Sequence, residues 1–384
     1  MSSRLPATHR ALVLTDKSTP LAVKTIPTPT PIHGSAVVEV LSAGVLSYHR
    51  EIYNGSESHA RYSLPTPLVT GMSAIGHIVA LGPDATTLQP GQLVFVDCMI
   101  RARDDPDTAF LLAIHDSGTP GSQKLARDVW RDGTFAEYVR VPLENCIPLD
   151  EKRLCGELKY SVTDLTYMDY LMVPYGGLRD IGLEPGETVV VAPATGGYGG
   201  AAVMVAVAMG ARVIAMGRNE AELGRLKKVV LSGSPSASIE TLKMTGDEMI
   251  DAENLKAFGT IDAGIDFTPP QGTSSSHLRS VVRVIRKGGR ISLMGLNSNP
   301  MVPWSVVSRN ISFKGKLMYE REDMIQFVKM LERGRFPRTG DFVETKEFRL
   351  EEWEAALDMA AEHMGIGKRV VFSPKLRLDN TSIV

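Results

Sequence analysis

Between two apolar runs the chain reads Ala194-Thr195-Gly196-Gly197-Tyr198-Gly199. This is the G-x-G-x-x-G spacing with alanine in the first place. Glycines so placed let the backbone turn sharply and let a pyrophosphate approach the main chain. A helix expected from near Gly199 through Met209 would offer that anion its free N–H groups and the positive end of its dipole. The alternative is a plain strand-to-helix turn. The context favours a dinucleotide loop, because a strand ending at Val191 precedes it and a second strand, "ARVIAMG", follows the helix. At the end of that second strand stands Met216-Gly217-Arg218-Asn219. An acidic residue there would bind the ribose 2′-hydroxyl of NAD, and an arginine accommodates the 2′-phosphate of NADP. The acid is missing, Gly217 is read as leaving room for a phosphate, and Arg218 can grip it as a charged fork. The expectation is NADP(H) over NAD(H); otherwise Arg218 is a solvated surface residue.

Two kinds of architecture must position these residues. From Leu158 onward strands and helices alternate: "ETVVVA", "GGAAVMVAVAMGA", "RVIAMG", "NEAELGRLKKVV", "IDAGIDFT", "SSHLRSVVRVIRKGG", "RISLMG". Such alternation predicts βαβ units with right-handed crossovers in a doubly wound parallel sheet. Up to about Pro148 the chain instead shows short runs such as "SAVVEVLSAGV" and "IGHIVALG", broken by turn residues, which predict a mostly β domain. A polar insert between Asp97 and Arg131 is expected to carry a helix or two. Beyond Lys316 come two helical patterns and a last strand, "KRVVFSP".

Bulk composition narrows the function classes. The 384 residues carry a formal net charge of -2, with 43% hydrophobic and 22% charged side chains, which describes an ordinary soluble globular chain and argues against nucleic-acid or membrane partners. Three cysteines, Cys98, Cys146 and Cys155, form no CxxC pair and suggest a reducing compartment. The longest apolar run, Ala201 to Ala211, falls short of the ~20 residues that span a bilayer. With no signal-peptide pattern at the start, a cytoplasmic location is expected.

Several stretches together carry a family resemblance: "GSAVVEVLSAGVLSYHREIYNG", "LVTGMSAIGHIVALGPDATTLQPGQLVFV", "DGTFAEYVRVP", "LEPGETVVVAPATGGYGGAA" and "GKRVVFSP". In these the chain resembles the medium-chain dehydrogenase/reductase superfamily, which holds zinc alcohol dehydrogenases and zinc-free quinone and enoyl reductases. The resemblance implies an α/β protein with a GroES-like, mostly β catalytic domain (1–157 and 319–384) around a Rossmann NADP-binding domain (158–318), an active site in the cleft between them, and a homodimer. It implies pyrophosphate contacts from Thr195, Gly196, Gly197 and Tyr198, with Gly199 completing the loop. Phe267 and Thr268 of "DFT", and Met294, Gly295 and Leu296 of "MGL", would flank ribose and nicotinamide. Lys368 would lie near the pyrophosphate.

The resemblance also shows what is lost. Family zinc ligands correspond to Leu46 in "AGVL", Met72 beside Ser73 in "GMS", and a position near Asp169. Leucine and methionine do not supply the thiolate, imidazole or carboxylate that zinc takes, and a four-cysteine structural lobe is absent. A zinc-independent member is therefore expected, with no metal site. Oxyanion stabilisation would then fall to hydrogen-bond donors. Tyr48 holds the family's proton-relaying hydroxyl position and can donate to a developing oxyanion; alternatively it fills the volume the metal leaves. His49 and Tyr53 are further candidates on the same segment. Glu57 stands near where enoyl reductases place a tyrosine, and His59, Tyr62, His77 and His115 are left structural or unassigned. The favoured function is NADPH-dependent reduction of a conjugated carbonyl (enone, enoyl or quinone-type), with a role in specialised metabolism. The alternatives are a zinc-free alcohol dehydrogenase or ketone reductase, a non-redox enzyme, or an NADPH-binding sensor.

Overall fold

The computed structural model of the protein describes residues 5–55, 63–299, 303–338 and 343–376. The chain forms two compact units. One holds the residues up to Asp169, then Thr345–Met364 and the chain from Arg369; the other holds Tyr170–Glu344 and Gly365–Lys368. These limits differ from the expected 157/158 and 318/319. The stretch to Asp169 stays with the first unit because Arg369 binds Asp169 there. The helical stretch after Lys316 joins the second because its Phe327 packs edge-on against Tyr175, with ring centroids 5.5 Å apart.

The first unit is mostly β. Its early strands are β1 (Thr8–Leu14), β2 (Ala22–Pro27), β3 (Ser35–Val45), β4 (Leu68–Val69), β5 (Ala74–Leu81), β6 (Leu93–Val96), β7 (Met99–Arg101), β8 (Ala109–Leu111), β9 (Tyr138–Pro142) and β10 (Cys146–Pro148). Helix α1 (His49–Tyr53) follows β3 directly. The polar insert carries the β7–β8 ribbon and one helix, α2 (Pro120–Asp128), which starts on a Thr119–Ser122 capping box. A short α3 (Val162–Leu165) closes this stretch, and α4 (Met168–Asp180) belongs to the second unit from Tyr170 onward.

The second unit is a six-stranded sheet of β11 (Thr188–Ala192), β12 (Arg212–Gly217), β13 (Ile239–Lys243), β14 (Ala263–Asp266), β15 (Arg290–Leu293) and β16 (Ser312–Gly315). The spatial order is β13-β12-β11-β14-β15-β16, and every pairing is parallel. Strand order reverses between β11 and β14, the switch point at which such sheets open a crevice beyond their carboxyl ends. The helices α5 (Gly197–Ala208), α6 (Glu220–Gly233), α7 (Glu248–Lys256), α8 (His277–Val284), α9 (Pro303–Val307) and α10 (Arg321–Glu332) complete the unit. Val190, Ile214 and Ile291 pack with Leu255, Leu278 and Val281 of α7 and α8. The alternate residues Val189, Val191, Val213 and Ala215 are equally buried. Burial on both faces is why these strands read as unbroken apolar runs. The edge strand β13 and α7 had no such signal: β13 is half-buried, and its residues mix apolar with charged.

From the far end of the chain, β17 (Glu344–Phe348) and β18 (Lys368–Phe372) join the first unit's main sheet, with α11 (Trp353–Glu362) between them. The order there is β10-β6-β5-β3-β18-β17, with β9 also paired to β3. The run Ala201–Ala211 lies largely in α5, apolar all round because it is buried. Among the described residues no helix is long and apolar enough to cross a membrane.

Candidate functional site

In the second unit the glycine loop joins β11 to α5. The helix begins at Gly197, two residues before the expected start, with Gly196 as N-cap and no side chain capping it. First-turn N–H groups of a helix have no partner within the helix and can donate to a ligand or water. A Cβ on Gly199 would fall 2.0 Å from the Pro193 carbonyl oxygen, so glycine lets the helix sit directly on the strand's end. Gly217 differs from its sequence reading. A Cβ there would meet Thr195 at 2.8 Å and Leu223 at 3.2 Å, so its missing side chain makes room for these neighbours and not for a phosphate.

The predicted strand-end residues are brought to this loop. The Phe267 N–H donates to the Ala192 carbonyl at 3.0 Å, and the Leu296 N–H donates to the Thr268 carbonyl at 2.8 Å. Met294 donates its N–H to the Asp266 carbonyl at 3.1 Å, and Gly295 lies between these two residues. The Tyr198 ring stacks near Phe267, with centroids 6.2 Å apart, and meets Tyr170 at 4.8 Å. Below them lies a buried network that sequence reasoning missed. His277 Nε2 pairs with Asp266 Oδ1 at 2.7 Å, and its Nδ1 lies 2.7 Å from the Ser275 hydroxyl. The segment before Lys368 rests on the first turn of α5, where a Cβ on Gly200 would lie 2.7 Å from Ile366. Lys368 itself is half-buried.

At the carboxyl ends of β12 and β13, Thr195, Arg218, Asn219, Glu220, Ala221 and Lys243 line an open depression of ≈ 610 Å³. Asn219 caps α6, its Oδ1 accepting from the Glu222 N–H at 3.2 Å. Glu220 forms an ion pair with Lys243 at 3.3 Å. Two cations against one carboxylate leave the depression net positive. Lys243 escaped the sequence reading because β13 did.

In the first unit β3 ends at Val45, and α1 starts at His49 with Tyr48 as N-cap. The Leu46 N–H donates to His49 Nδ1 at 3.2 Å, which puts the ring proton on Nε2. His49 is 0% exposed. Burial, aided by the charge of Arg369, pushes its pKa down to about 3, so the ring is neutral. Its Nε2 is buried without a hydrogen-bond partner. The ring lies 5.4 Å from Tyr53, 5.5 Å from Phe135 and 6.1 Å from Tyr48. The Tyr53 hydroxyl donates to the Ala113 carbonyl at 3.1 Å and accepts from the Gly71 N–H at 2.9 Å. Burial raises its pKa. With its phenol engaged both ways, Tyr53 anchors α1. Tyr48 is half-buried, and of the three it alone keeps an accessible side chain.

The positions that would hold zinc do not fit the ion. Leu46 and Met72 are buried at 1% and 3% exposure. Asp169 is taken by Arg369 in an ion pair, and its Oδ2 also accepts from the Ser73 hydroxyl at 2.8 Å. Among the described residues no three His, Cys, Asp or Glu side chains gather as a metal site. His77 pairs with Glu151 at 3.1 Å, and His115 Nδ1 accepts from the Ser117 N–H at 3.1 Å. Glu57, His59 and Tyr62 lie outside the described residues.

Residues 33–151 match the family described as alcohol dehydrogenase GroES-like domain, and residues 197–333 match the family described as zinc-binding dehydrogenase. Alcohol dehydrogenase 1 of Caenorhabditis elegans is 24% identical over 348 residues, covering 87% of this chain and 90% of its own. The L-threonine 3-dehydrogenase of Ruegeria pomeroyi is 27% identical over 301 residues, covering 77% and 80%. The solved thermostable alcohol dehydrogenase of Pyrobaculum aerophilum has the same fold, with a TM-score of 0.67 at 21% identity, covering 96% of this chain and 100% of its own.

Proposed function

The chain belongs to the medium-chain dehydrogenase/reductase superfamily, and from that premise we propose that it is an NADPH-dependent, zinc-independent reductase of a conjugated carbonyl. The observation that carries this reading is the replacement at the metal positions: Leu46, Met72, and an Asp169 committed to Arg369. Without a Lewis acid, charge on a reacting oxygen must be met by donors. A conjugated acceptor suits such a site, because it takes hydride at its β-carbon and spreads the charge onto oxygen. A bound reduced nicotinamide supplies the hydride. The loop from Thr195 to Gly199 holds the pyrophosphate through its backbone, and Arg218 with Lys243 favours the 2′-phosphate. Tyr48 donates a hydrogen bond to the substrate oxygen, and the proton reaches the α-carbon or oxygen from Tyr48 or from water. Leu46 and Met72 give the pocket its apolar wall.

Titration of the metal-analysed protein with NADPH and NADH, read by nicotinamide fluorescence, tests the cofactor. Tighter NADPH binding is expected; equal affinities would remove the 2′-phosphate assignment. The alcohol dehydrogenase names among the relatives favour a second reading, reduction of a simple ketone without metal. Parallel assays with matched saturated and α,β-unsaturated ketones separate the two. We also propose a homodimer in the cytoplasm. The edge strand β16 and the exposed Trp304 (73%), Val307 and Leu317 near it support self-association. Sedimentation of the wild type and of Trp304→Glu checks it, and a monomeric wild type would refute it.

A further inference from the structure

In the second unit the carboxyl ends of β14 and β15 are fastened to the start of α8 by a buried polar cluster. At its centre Asp266 and His277 are each 1% exposed. His277 Nε2 lies 2.7 Å from Asp266 Oδ1, and the Thr268 hydroxyl donates to the same oxygen. Across the ring, the Ser275 hydroxyl stands 2.7 Å from Nδ1. With Ser275 donating to Nδ1, Nε2–H donates to Asp266, and each donor has an acceptor. Asp266 Oδ2 has no partner among the described residues, so the carboxylate's hold on the cluster runs through Oδ1 alone. The segment after β15 is tied in as well. Asn297 Nδ2 donates to the Ser275 carbonyl at 3.1 Å and reaches the Thr268 hydroxyl at 3.4 Å, and Asn299 Nδ2 donates to the Ser275 carbonyl at 2.7 Å. A Cβ on Gly295 would lie 2.1 Å from the Thr268 nitrogen and 2.6 Å from Asp266 Oδ2, so the two strand ends meet in direct contact.

The place of this cluster in the sheet gives it a use. Strand order reverses between β11 and β14, so a ligand that starts on the glycine loop after β11 meets the residues just past β14 next. Phe267 lies between Asp266 and Thr268, and its ring is 14° from parallel with that of Tyr198 on the loop. Asp266 and His277 are closed to solvent, so they act through the residues they hold. We propose that His277 is a positioning residue for the nicotinamide half of the nucleotide. Through Asp266 it sets the segments 266–268 and 294–296 at the spacing that the ring and its ribose need, as a supporting shell fixes the groups in front of it. The inference rests on the nucleotide site proposed above. It adds a side chain that takes no part in the pyrophosphate or 2′-phosphate contacts.

The test separates the two halves of the nucleotide. NADPH and adenosine 2′,5′-bisphosphate, which lacks the nicotinamide, are titrated calorimetrically into the wild type, His277→Leu and His277→Gln. Circular dichroism checks folding. Leucine fills the volume without a donor, and glutamine keeps an N–H for Asp266. His277→Leu is expected to bind NADPH roughly 10-fold more weakly, the cost of leaving a buried acceptor short of a donor. It should bind the bisphosphate as the wild type does, and the emission lifetime of its bound nicotinamide should shorten. His277→Gln should recover most of the loss. Equal weakening of both ligands by leucine would mark a merely structural role and overturns the proposal. Unaltered binding of both ligands overturns it too, as does a glutamine variant no better than leucine. Should leucine fail to fold, Ser275→Ala carries the same test. It frees Nδ1 of the ring and should weaken NADPH by roughly threefold with the bisphosphate unaffected; equal effects on the two ligands, or none, overturn the proposal. A wild type that binds neither ligand removes the nucleotide reading itself.

Discussion

The loop Gly196–Gly199 in the second unit and the segment Leu46–Tyr53 in the first are built from different parts of the chain. The loop offers mainly backbone: uncapped N–H groups at a helix start, and a glycine where a Cβ would strike a carbonyl. The segment offers side chains held by other side chains, with Asp169 bound to Arg369 and Tyr53 bound at both ends of its hydroxyl. A site made of backbone is fixed by conformation and keeps its chemistry while its neighbours change. A site made of side chains can keep its frame and exchange its chemistry. Here the β3–α1 turn carries leucine, and the neighbouring segments carry methionine and the Asp169–Arg369 ion pair, where the family resemblance expects metal ligands.

If the chemistry of the first unit has passed from a metal to a phenol, Tyr48→Phe should lower kcat by about 10²–10⁴-fold, the usual contribution of a positioned acid. NADPH affinity should be unchanged, because the nucleotide contacts are assigned to the loop and not to Tyr48. Steady-state kinetics beside a binding titration check this, and an unaltered kcat takes Tyr48 out of the mechanism. Next in size is Arg369→Met. It leaves Asp169 buried without its cation, and breaking such a pair costs about 3–5 kcal/mol. Adding Asp169→Leu should recover most of that loss in urea denaturation, because the orphaned charge is then gone too. A double variant as unstable as the single would mean that packing, not charge, dominates there.

The second unit has the smaller lever. Arg218→Ala should weaken NADPH binding by roughly 10–100-fold, the range for one charge-assisted hydrogen-bond partner, and leave NADH binding unchanged. Arg218 and Lys243 are both exposed, so the discrimination between nucleotides should shrink as salt rises. Equal losses for the two nucleotides would show Arg218 acting on something shared, and Glu220 would then become the better candidate for a ribose contact.

What the sequence disclosed follows the same division. The parallel sheet and the glycine loop were legible because buried strands are continuously apolar and a tight phosphate turn demands glycine. Leu46 and Met72 stood out against the family pattern because neither side chain is a usual zinc ligand. Lys243 was not, because β13 is a half-buried edge strand whose alternation is too weak to announce it. Arg369 had a visible signal, a charge inside "KRVVF". Its partner lies 200 positions away, and only the fold brings Asp169 beside it. The same holds for His277 and Asp266. The Gly217 reading failed on packing: the space that its missing side chain leaves is taken by Thr195 and Leu223.

The smallest expected effect concerns His49, and it sharpens what the first unit has become. Its pKa falls from the ordinary 6.5 to about 3 in the folded chain, chiefly through burial and secondarily through Arg369. Between these values the unfolded chain binds a proton that the folded chain does not, so stability falls as pH drops below about 6.5. From pH 7.5 to 5.5 this one ring should cost about 1 kcal/mol. Urea denaturation at both pH values, for wild type and His49→Gln, isolates the contribution, because glutamine carries no titrating group. The wild type should lose more stability than the variant over that interval. Parallel losses would mean that the ring gains a proton when folded, and then its Nε2 would face a partner able to hold the charge. A neutral His49 instead keeps a single buried N–H donor beside Tyr48 at every pH where the enzyme is stable, and Arg369 helps to keep it so.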